Sequence, residues 1–518
     1  MAELNELLQT YIKKSGYTVY SIAYNSKINR TTLQKALSGE RPLSRANLDK
    51  LIPFLKLTPE ERKILEKAYT KSSLGEVTYQ KHYFIKELVE NIELYSIDTD
   101  DTLSTVAPPQ PLVLETATNI KGRYNILSTV KRMVDALITD CDAPFLHVIS
   151  KFSGDFFVSL YNQFRPSYYD TLEITHIIPF IKNTTASSSV LYNLEELAAL
   201  LPFSLSTESN CSFYYFYEIE NITLFSSFPY SSYILLNHNV VLISADYDNA
   251  LILPEVCISY FRSCFCNILK QSSVLLNRVD NPGLLFFATD DIAISHFSHS
   301  IDLQPCIFYF IDQVIAYSVM EGGQLPQEHR KEMAELLEKR RDTLNRLSEA
   351  CMIFPYQGFV DFVEKGIVYE VPAEMGRPLH KKERISILRQ IIEKNKEGRH
   401  KFLLLKKEEF RPNLSVITYD AASIVFYYKK NDYDYQICTL YEPSIIHAMN
   451  DFIANAENHN FSYNLEETNA IMEQTIQRLE VIPAESEQMF TPPPENLTGD
   501  MCIGDVPSVT KSTLCHGV

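Results

Sequence analysis

Glycine is scarce: only 15 of the 518 residues are Gly, under half of the roughly 7% average usage. Taken in order along the chain, these glycines form no G-x-G-x-x-G, no G-x-x-x-x-G-K-[ST] and no G-x-S-x-G. The two common phosphate-cradling loops and the nucleophile elbow of many hydrolases are therefore missing, which weighs against most nucleotide-dependent enzymes. No uninterrupted apolar run approaches the ~18 residues needed to cross a bilayer. Met1 to Thr10 has no basic segment leading into an apolar core, so the expectation is a cytoplasmic chain without a membrane partner. Ten cysteines are too dilute for a disulfide scaffold, and a reducing compartment favours free thiols. The closest group, Cys257, Cys264 and Cys266, lacks the paired C-x-x-C spacing of a structural zinc site. Cys257 and Cys264 lie seven apart on one helical face, which predicts core packing rather than metal binding.

What is present fits a folded multidomain protein. At 59.5 kDa, 45% hydrophobic and 22% charged, the chain has ample material for a core, and its length suggests about three or four domains. The net charge of -17 is unevenly spread: residues 1 to 71 hold 13 Lys or Arg against 7 Asp or Glu, a local +6, leaving -23 for the remainder. A basic head on an acidic body suits a small nucleic-acid-binding module attached to something that phosphates repel.

The head parses into five short helices. Leu4, Leu7, Leu8, Tyr11 and Ile12 recur at helical spacing and Gly16 ends the run. Thr18 can cap a second helix containing Ile22 and Ala23. After a turn at Ser26 to Ile28, Asn29 caps a third helix reaching Ser38, with Gly39 as its stop signal. Ser44 caps a fourth with Leu48, Leu51, Ile52 and Leu55. Thr58, with Pro59 and then Glu60 and Glu61 in the first turn, opens the fifth. Two short helices joined by a tight turn, the second polar along its outer edge, form an arrangement that can place a helix N-terminus in the DNA major groove.

The run Ile22-Ala23-x-x-x-Lys27-Ile28-Asn29-Arg30-Thr31-Thr32-Leu33-Gln34-Lys35-Ala36-Leu37-Ser38-Gly39 resembles the helix-turn-helix of Cro and phage-repressor-like regulators. The resemblance covers about the first 70 residues. Two positions depart from the pattern: Lys27 stands where the family usually has Gly in the turn, and Leu37 where a polar residue is usual. A non-Gly residue at positive φ costs about 1 kcal/mol, which the fold can absorb. The resemblance implies that Arg30, Thr31 and Lys35 face the bases, Arg30 by a bidentate contact to guanine and Thr31 by its methyl against thymine. It also implies that the helix start at Thr18, with Arg41 and Arg45, holds phosphates and sets register. The alternative for the head is a helical protein-interaction module with a solvated basic face.

Beyond a charged, Tyr-containing connector (72–111, with the extended break VAPPQP at 106–111), strand-like and helix-like segments alternate. The expectation is an α+β multidomain chain: the helical head over 1–71, a first α/β region over 112–325, a charged bridging helix over 326–351, a second α/β region over 352–482, and a Pro-containing, disordered tail over 483–518. Strand candidates are 173–181, 212–219, 233–236, 240–244, 251–253, 401–406, 415–419, 423–428 and 435–440. Helix candidates are 194–200, 255–269, 381–396, 443–455 and 465–479. The alternation and the lack of a 34-residue period argue against tetratricopeptide repeats. Met333, Leu336, Leu337, Leu344 and Leu347 form a stripe on the charged helix that is either core-facing or a dimer seam.

Two stretches share an order of strand, strand, acidic turn, strand and Pro-started helix. One covers 231–269, with the turn Asp246-Tyr247-Asp248; the other covers 415–456, with Asp432-Tyr433-Asp434. Two α/β halves of this kind resemble the phospholipase-D-like scaffold, which some regulators use as a sensor. That scaffold's signature is His-x-Lys followed by Asp, and His380-Lys381-Lys382 starts like it, but Ile387 stands where Asp is needed. The resemblance thus implies lost phosphodiester chemistry. His296 and His299, near Asp290, Asp291 and Asp302, lack the spacing and glutamate base of a zinc protease and read as a polar surface segment. Asp246 and Asp248 read as solvated turn carboxylates, and Gly322-Gly323-Gln324 as a loop.

The sequence therefore points to a non-enzymatic, bacterial-type regulator that reads double-stranded DNA with its head. Its body would form a homodimer and sense an effector, with no metal and no cofactor. The alternative is an enzyme or defence-type effector that uses the head to autoregulate.

Overall fold

A computed structural model describes residues 2–92, 116–164, 167–182, 188–206, 211–218, 229–278, 296–321, 323, 326–347, 349–369, 371, 376–420, 422–429 and 435–481. The turn 432–434, the break 106–111, Asp290, Asp291, Gly322, Gln324 and the tail from 483 lie outside them. The architecture is an N-terminal helical region followed by a large mixed sheet flanked by helices, an α+β multidomain chain.

All five head helices form: α1 (Ala2–Ser15), α2 (Val19–Ser26), α3 (Arg30–Leu37), α4 (Arg45–Leu55) and α5 (Pro59–Leu74). They enclose their own core, in which Leu8, Ile22, Leu33, Leu48, Leu51 and Leu65 are fully buried. α5 starts as its sequence predicts. Thr58 Oγ1 accepts the Glu61 N–H at 3.2 Å and Glu61 Oε2 accepts the Thr58 N–H at 2.9 Å, a reciprocal cap with Pro59 in the first turn.

A sixth helix, α6 (Glu76–Glu90), replaces the expected start of the connector. It follows α5 after the single residue Gly75, at φ 84. Its apolar face, Ile85, Leu88 and Val89, continues into Ile92 and enters the core of the body, not that of the head. The Asn413 N–H donates to Val89 O at 3.2 Å and its side chain to Ile92 O at 2.9 Å, so the helix that leaves the head is seated on the body.

The body is built on a 14-stranded sheet ordered β1-β7-β6-β5-β2-β3-β4-β8-β14-β13-β12-β9-β10-β11. Its first half contains β1 (Thr118–Lys121), β2 (Phe145–Ile149), β3 (Glu173–Ile181), β4 (Cys211–Glu218), β5 (Tyr230–Leu236), β6 (Val240–Ser244), β7 (Asn249–Leu253) and β8 (Ser273–Arg278). The second holds β9 (Phe297–Ile301), β10 (Ala350–Phe354), β11 (His400–Leu404), β12 (Leu414–Tyr419), β13 (Ser423–Lys429) and β14 (Tyr435–Leu440). In the first half β2, β3 and β4 run parallel, while β5, β6 and β7 extend antiparallel from β2. The second repeats this with β9, β10 and β11 parallel and β12, β13 and β14 antiparallel from β9. The two halves therefore share one strand order and one set of directions, as the repeated sequence order suggested. β8 joins them, pairing antiparallel with both β4 and β14. A bridge between Leu405 and Ser462 beyond β11 echoes the pairing of β8 with β4.

Alternation along the strands distributes side chains to two faces. In β10, Cys351 and Ile353 enter a main core, whereas Ala350, Met352 and Phe354 enter a second. The main core is covered by α6, α7 (Arg123–Asp140), α8 (Phe156–Tyr161), α9 (Tyr168–Thr171), α10 (Ser188–Ser206) and α16 (Pro443–Ala454). The second is covered by α12 (Gln313–Glu321), α13 (Gln327–Leu344), α14 (Tyr356–Lys365), α15 (Lys381–Glu397) and α17 (Leu465–Val481). α11 (Ile258–Leu269) covers a smaller patch on the first half through Ile258 and Phe265.

The charged helix expected as a bridge over 326–351 is α13, and it lies between β9 and β10, inside the second half. β9 and β10 are five residues each and carry no clear strand pattern in the sequence, which makes the helix look external to both halves. The bridging role falls to β8. Met333, Leu337 and Leu344 of its stripe are buried in the second core, so the stripe faces the core.

A buried relay fixes α6 to the body. His82 Nδ1 lies 3.0 Å from His459 Nε2, and His82 Nε2 lies 2.9 Å from Asp451 Oδ2. Burial pushes His459 down to about 3, and the His82 hydrogen bond holds the Asp451 carboxyl below its usual range. Lys81 and His447 are the other charged or titratable groups acting on Asp451. A histidine held neutral contributes stability that is complete above its unfolded value and declines as pH falls toward the folded one. Between about pH 6.5 and 4 the full chain should therefore lose up to roughly 1.4 kcal/mol of stability per pH unit at this site. Across that window the fall of the unfolding midpoint should become shallower in His459→Phe, with the buried His176, also held down to about 3, carrying part of the remaining slope; an unchanged slope would show that acid does not act at His459.

Candidate nucleic-acid interface

Local sequence dictates the geometry of the second and third helices. Thr18 Oγ1 accepts the Ser21 N–H at 3.1 Å to start α2, and Asn29 Oδ1 accepts the Thr31 N–H at 2.8 Å to start α3. Between them Lys27 adopts φ 56 and ψ 28, the left-handed conformation the turn requires. Ile28 follows into the core, and small Ala23 and Ala36 are buried with Leu33 where the helices meet. At Gly39, φ 75, an added Cβ would stand 3.0 Å from Asn5, so this end of α3 closes tightly on α1. Leu37, unusual at its position, packs partly buried against the head core, and Gln9 donates to its carbonyl at 2.6 Å.

This packing leaves Arg30, Thr31, Gln34 and Lys35 exposed on α3. Arg30 sits 5.9 Å from the Tyr20 ring centroid. Lys35 pairs with Glu40 at 3.1 Å, both largely exposed. Such a pair is worth about 0 to 1 kcal/mol and yields readily to a phosphate or base edge. Thr18 and Arg41 are also exposed. The structure thus brings Thr18, Arg30, Thr31 and Lys35 to the outer surface of one two-helix unit, with Arg41 just beyond it.

Arg45 is placed differently from the phosphate role implied by the resemblance. It pairs with Asp49 at 3.1 Å, approaches Glu66 at 3.9 Å and lies 5.9 Å from the Tyr69 ring. Two carboxylates and an aromatic face hold its guanidinium in the α4–α5 packing.

Sequence reasoning missed an aromatic ledge. Tyr20 and Tyr24 are 64% and 77% exposed, four residues apart on α2 beside Arg30. Tyr17 lies next to them, with Lys56 4.8 Å from its ring. The available signal is the spacing Val19-Tyr20-Ser21-Ile22-Ala23-Tyr24, in which the two tyrosines, four apart, share a face opposite the buried Ile22.

The body's singled-out residues have structural surroundings. His299 Nδ1 accepts the Cys351 N–H at 3.1 Å between β9 and β10, while His296 faces Asp420 at 3.1 Å; Asp302 accepts from Ser300 at 2.5 Å. Among the described residues, no group of three His, Cys, Asp or Glu converges on a metal position. Asp246 accepts from Ser244 Oγ at 2.5 Å and from the Asp248 N–H at 3.1 Å, bonds that hold its exposed carboxyl below the usual range. His380 caps α15, and Ile387 is buried two turns on. Cys257 and Cys264 are half-buried and Cys266 is exposed, so Ile258 and Phe265, not the thiols, anchor this segment to its core. Among the described residues no helix is long and apolar enough to cross a membrane.

The sequence matches no protein-family model and no curated protein. Among solved structures, it is similar at 11% identity and a TM-score of 0.19 to TrmBL2, an archaeal chromatin protein with its own mode of DNA binding, covering 50% of this chain and 88% of that one. Similarity to a phosphatidylserine synthase of Haemophilus influenzae Rd KW20 is at 9% identity and a TM-score of 0.21, over 77% of this chain and 96% of the other. For a polyphosphate kinase of Porphyromonas gingivalis the values are 10% and 0.19, over 73% and 60%.

Proposed function

We propose that the chain is a sequence-reading, double-stranded-DNA-binding transcriptional regulator. Its head makes the contacts, and its body pairs two copies and receives an effector without catalysing a reaction. One observation carries this reading: directly after a tight left-handed turn, Arg30, Thr31 and Lys35 stand exposed on the first turns of α3, in a segment of local charge +6. Their spacing suits base edges in a major groove, with Thr18, Arg41 and the tyrosine ledge available to phosphates. The -23 body opposes non-specific contact through repulsion. The same strand order in two halves, together with the departure at Ile387, supports a degenerate phospholipase-D-like sensor in which the chemistry is lost.

Arg30→Ala is expected to weaken binding to the preferred duplex by about 1 to 3 kcal/mol and to relax base preference at one position. Lys35→Ala should act in the same way toward the lower end, because its pair with Glu40 offsets part of the loss. Arg41→Ala should weaken all sequences alike and reduce the salt slope by about 1. Titrations of preferred and scrambled duplexes at two salt concentrations separate these outcomes. Unchanged affinity and preference in Arg30→Ala would mean that α3 is not the reading helix.

A further inference from the structure

Cys141, His238 and Glu255 come from three separate turns and meet at one corner of the first half. Cys141 follows α7, His238 lies in the turn between β5 and β6, and Glu255 opens the short helical turn after β7. Adjacent strands set their positions, since Leu146 pairs with Leu236, Leu235 with Val240, and Val240 with Leu253. Asn237 then pins two of the turns together, accepting the Phe145 N–H at 2.9 Å and donating to Ala143 O at 3.0 Å. The result places Cys141 Sγ 3.6 Å from His238 Nε2 and Glu255 Oε1 3.5 Å from His238 Nδ1.

The order is thiol, imidazole, carboxylate. The two ring nitrogens face different partners, so the group does not converge on a metal position. It has instead the linear arrangement of a nucleophile, its base and the group that orients the base, at the longer distances usual without substrate. Asn237 and Glu255 also line an open cleft of about 580 Å³, together with Ile258, Arg262 and Cys266. Arg262 is the cation in its wall, 5.0 Å from the Phe145 ring. Partial burial, with Asp140 and Asp142 on either side, holds the Cys141 thiol above its ordinary range. The resting group is therefore a thiol that must give up its proton as it reacts.

We propose that Cys141 is a nucleophile that captures uncharged α,β-unsaturated carbonyl compounds, with His238 as its proton carrier and Glu255 as the positioning residue for His238. Acyl transfer would additionally require donors aimed at a tetrahedral oxyanion. Conjugate addition requires what is assembled here, a soft nucleophile and a proton carrier. The Sγ–Cβ bond forms as the thiol proton passes to Nε2, and the C=C electron pair moves onto the carbonyl as an enolate. Nε2–H then returns the proton to the α carbon. The sum is addition of S–H across the double bond, with no leaving group and no change of oxidation state supplied from outside. Glu255, 3.5 Å from Nδ1, favours the tautomer with the proton on Nδ1 and so keeps Nε2 free to act as the base. The site stands independently of whether the head reads DNA.

The test uses the full chain at neutral pH with the uncharged probe N-ethylmaleimide and follows alkylation of each cysteine peptide by mass spectrometry. Cys266 is more exposed than Cys141 and lines the cleft beside Glu255, so it is the internal reference. Cys141 should react at least about 10-fold faster than Cys266. His238→Gln should bring it to the rate of Cys266. An unchanged Cys266 rate in each variant reports an intact fold; where that rate shifts, Glu255→Gln provides the same comparison, with a several-fold fall expected at Cys141 alone. A Cys141 no faster than Cys266, or one indifferent to His238→Gln, would overturn the proposal.

Discussion

A duplex carrying two half-sites about 10 base pairs apart, or a multiple of that, is expected to be held ~10² to 10⁴ times more tightly by the full chain than by residues 1–75. A lone module of this kind buries only ~600 to 1,000 Å² on DNA, which rarely yields nanomolar specificity. Two heads joined through the body would meet the second half-site at an effective concentration in the millimolar range. The head keeps its own core within the shorter chain, because Leu8, Ile22, Leu33, Leu48, Leu51 and Leu65 pack among themselves while the apolar face of α6 belongs to the body. The seating of α6 through His82, Val89 and Ile92 would also restrict how the head is presented, which favours a fixed half-site spacing. Light scattering paired with titration measures both quantities. A monomeric full chain that binds no better than its fragment would exclude pairing as the source of affinity.

Phe152→Ala should destabilise the body by about 3 to 5 kcal/mol, a large part of the stability of most domains. Phe152 is fully buried, with its ring centroid 5.4 to 6.1 Å from those of Tyr161, His176, Phe203 and Phe213. Its N–H donates to Glu196 Oε2 at 2.6 Å, and Glu196 also accepts the Ser153 N–H at 2.9 Å and the Ser153 hydroxyl. Truncation removes one ring from an aromatic cluster whose neighbours are held by the backbone, so the cavity cannot readily collapse. Tyr124→Ala removes a ring that is 81% exposed and should stay within roughly 0.5 kcal/mol of the parent. Urea unfolding of both variants compares them directly. A loss below about 1 kcal/mol for Phe152→Ala would show that this cluster does not support the fold.

Legibility in the sequence followed local signals. Strands β3, β6 and β14 were read to the residue because β-branched or aromatic runs are bounded there by turns or by Pro443. Head helices with Thr18, Asn29 or Thr58 at their starts were read because those side chains accept the first free N–H groups. β2 (Phe145–Ile149) and β10 (Ala350–Phe354) were missed: each is only five residues long and largely buried, so its period cannot be distinguished from a turn of core helix. α7 was missed because Gly122, at φ 93, starts it without a side-chain cap. α6 reads as connector because its charges and tyrosines mask Ile85, Leu88 and Val89, whose burial depends on a sheet far along the chain.

The candidate site shows the same division. Lys27 at a left-handed turn and the exposed Arg30, Thr31 and Lys35 depend on neighbours in sequence, and the motif carried them. Arg45 depends on Glu66 and Tyr69 from another helix, and no local pattern could reveal those partners. The Cys141–His238–Glu255 cluster is more remote still, because its three members are aligned only by the register of β2, β5, β6 and β7.

The most direct measurement is retention of fragmented genomic DNA by the purified full chain, followed by sequencing of what is retained, alongside Arg30→Ala. A sequence-reading head predicts enrichment of fragments that share a common motif, with two-fold symmetry, and loss of preference at a defined position in the variant. Retained DNA with the composition of the input, or a motif identical for parent and Arg30→Ala, would contradict it.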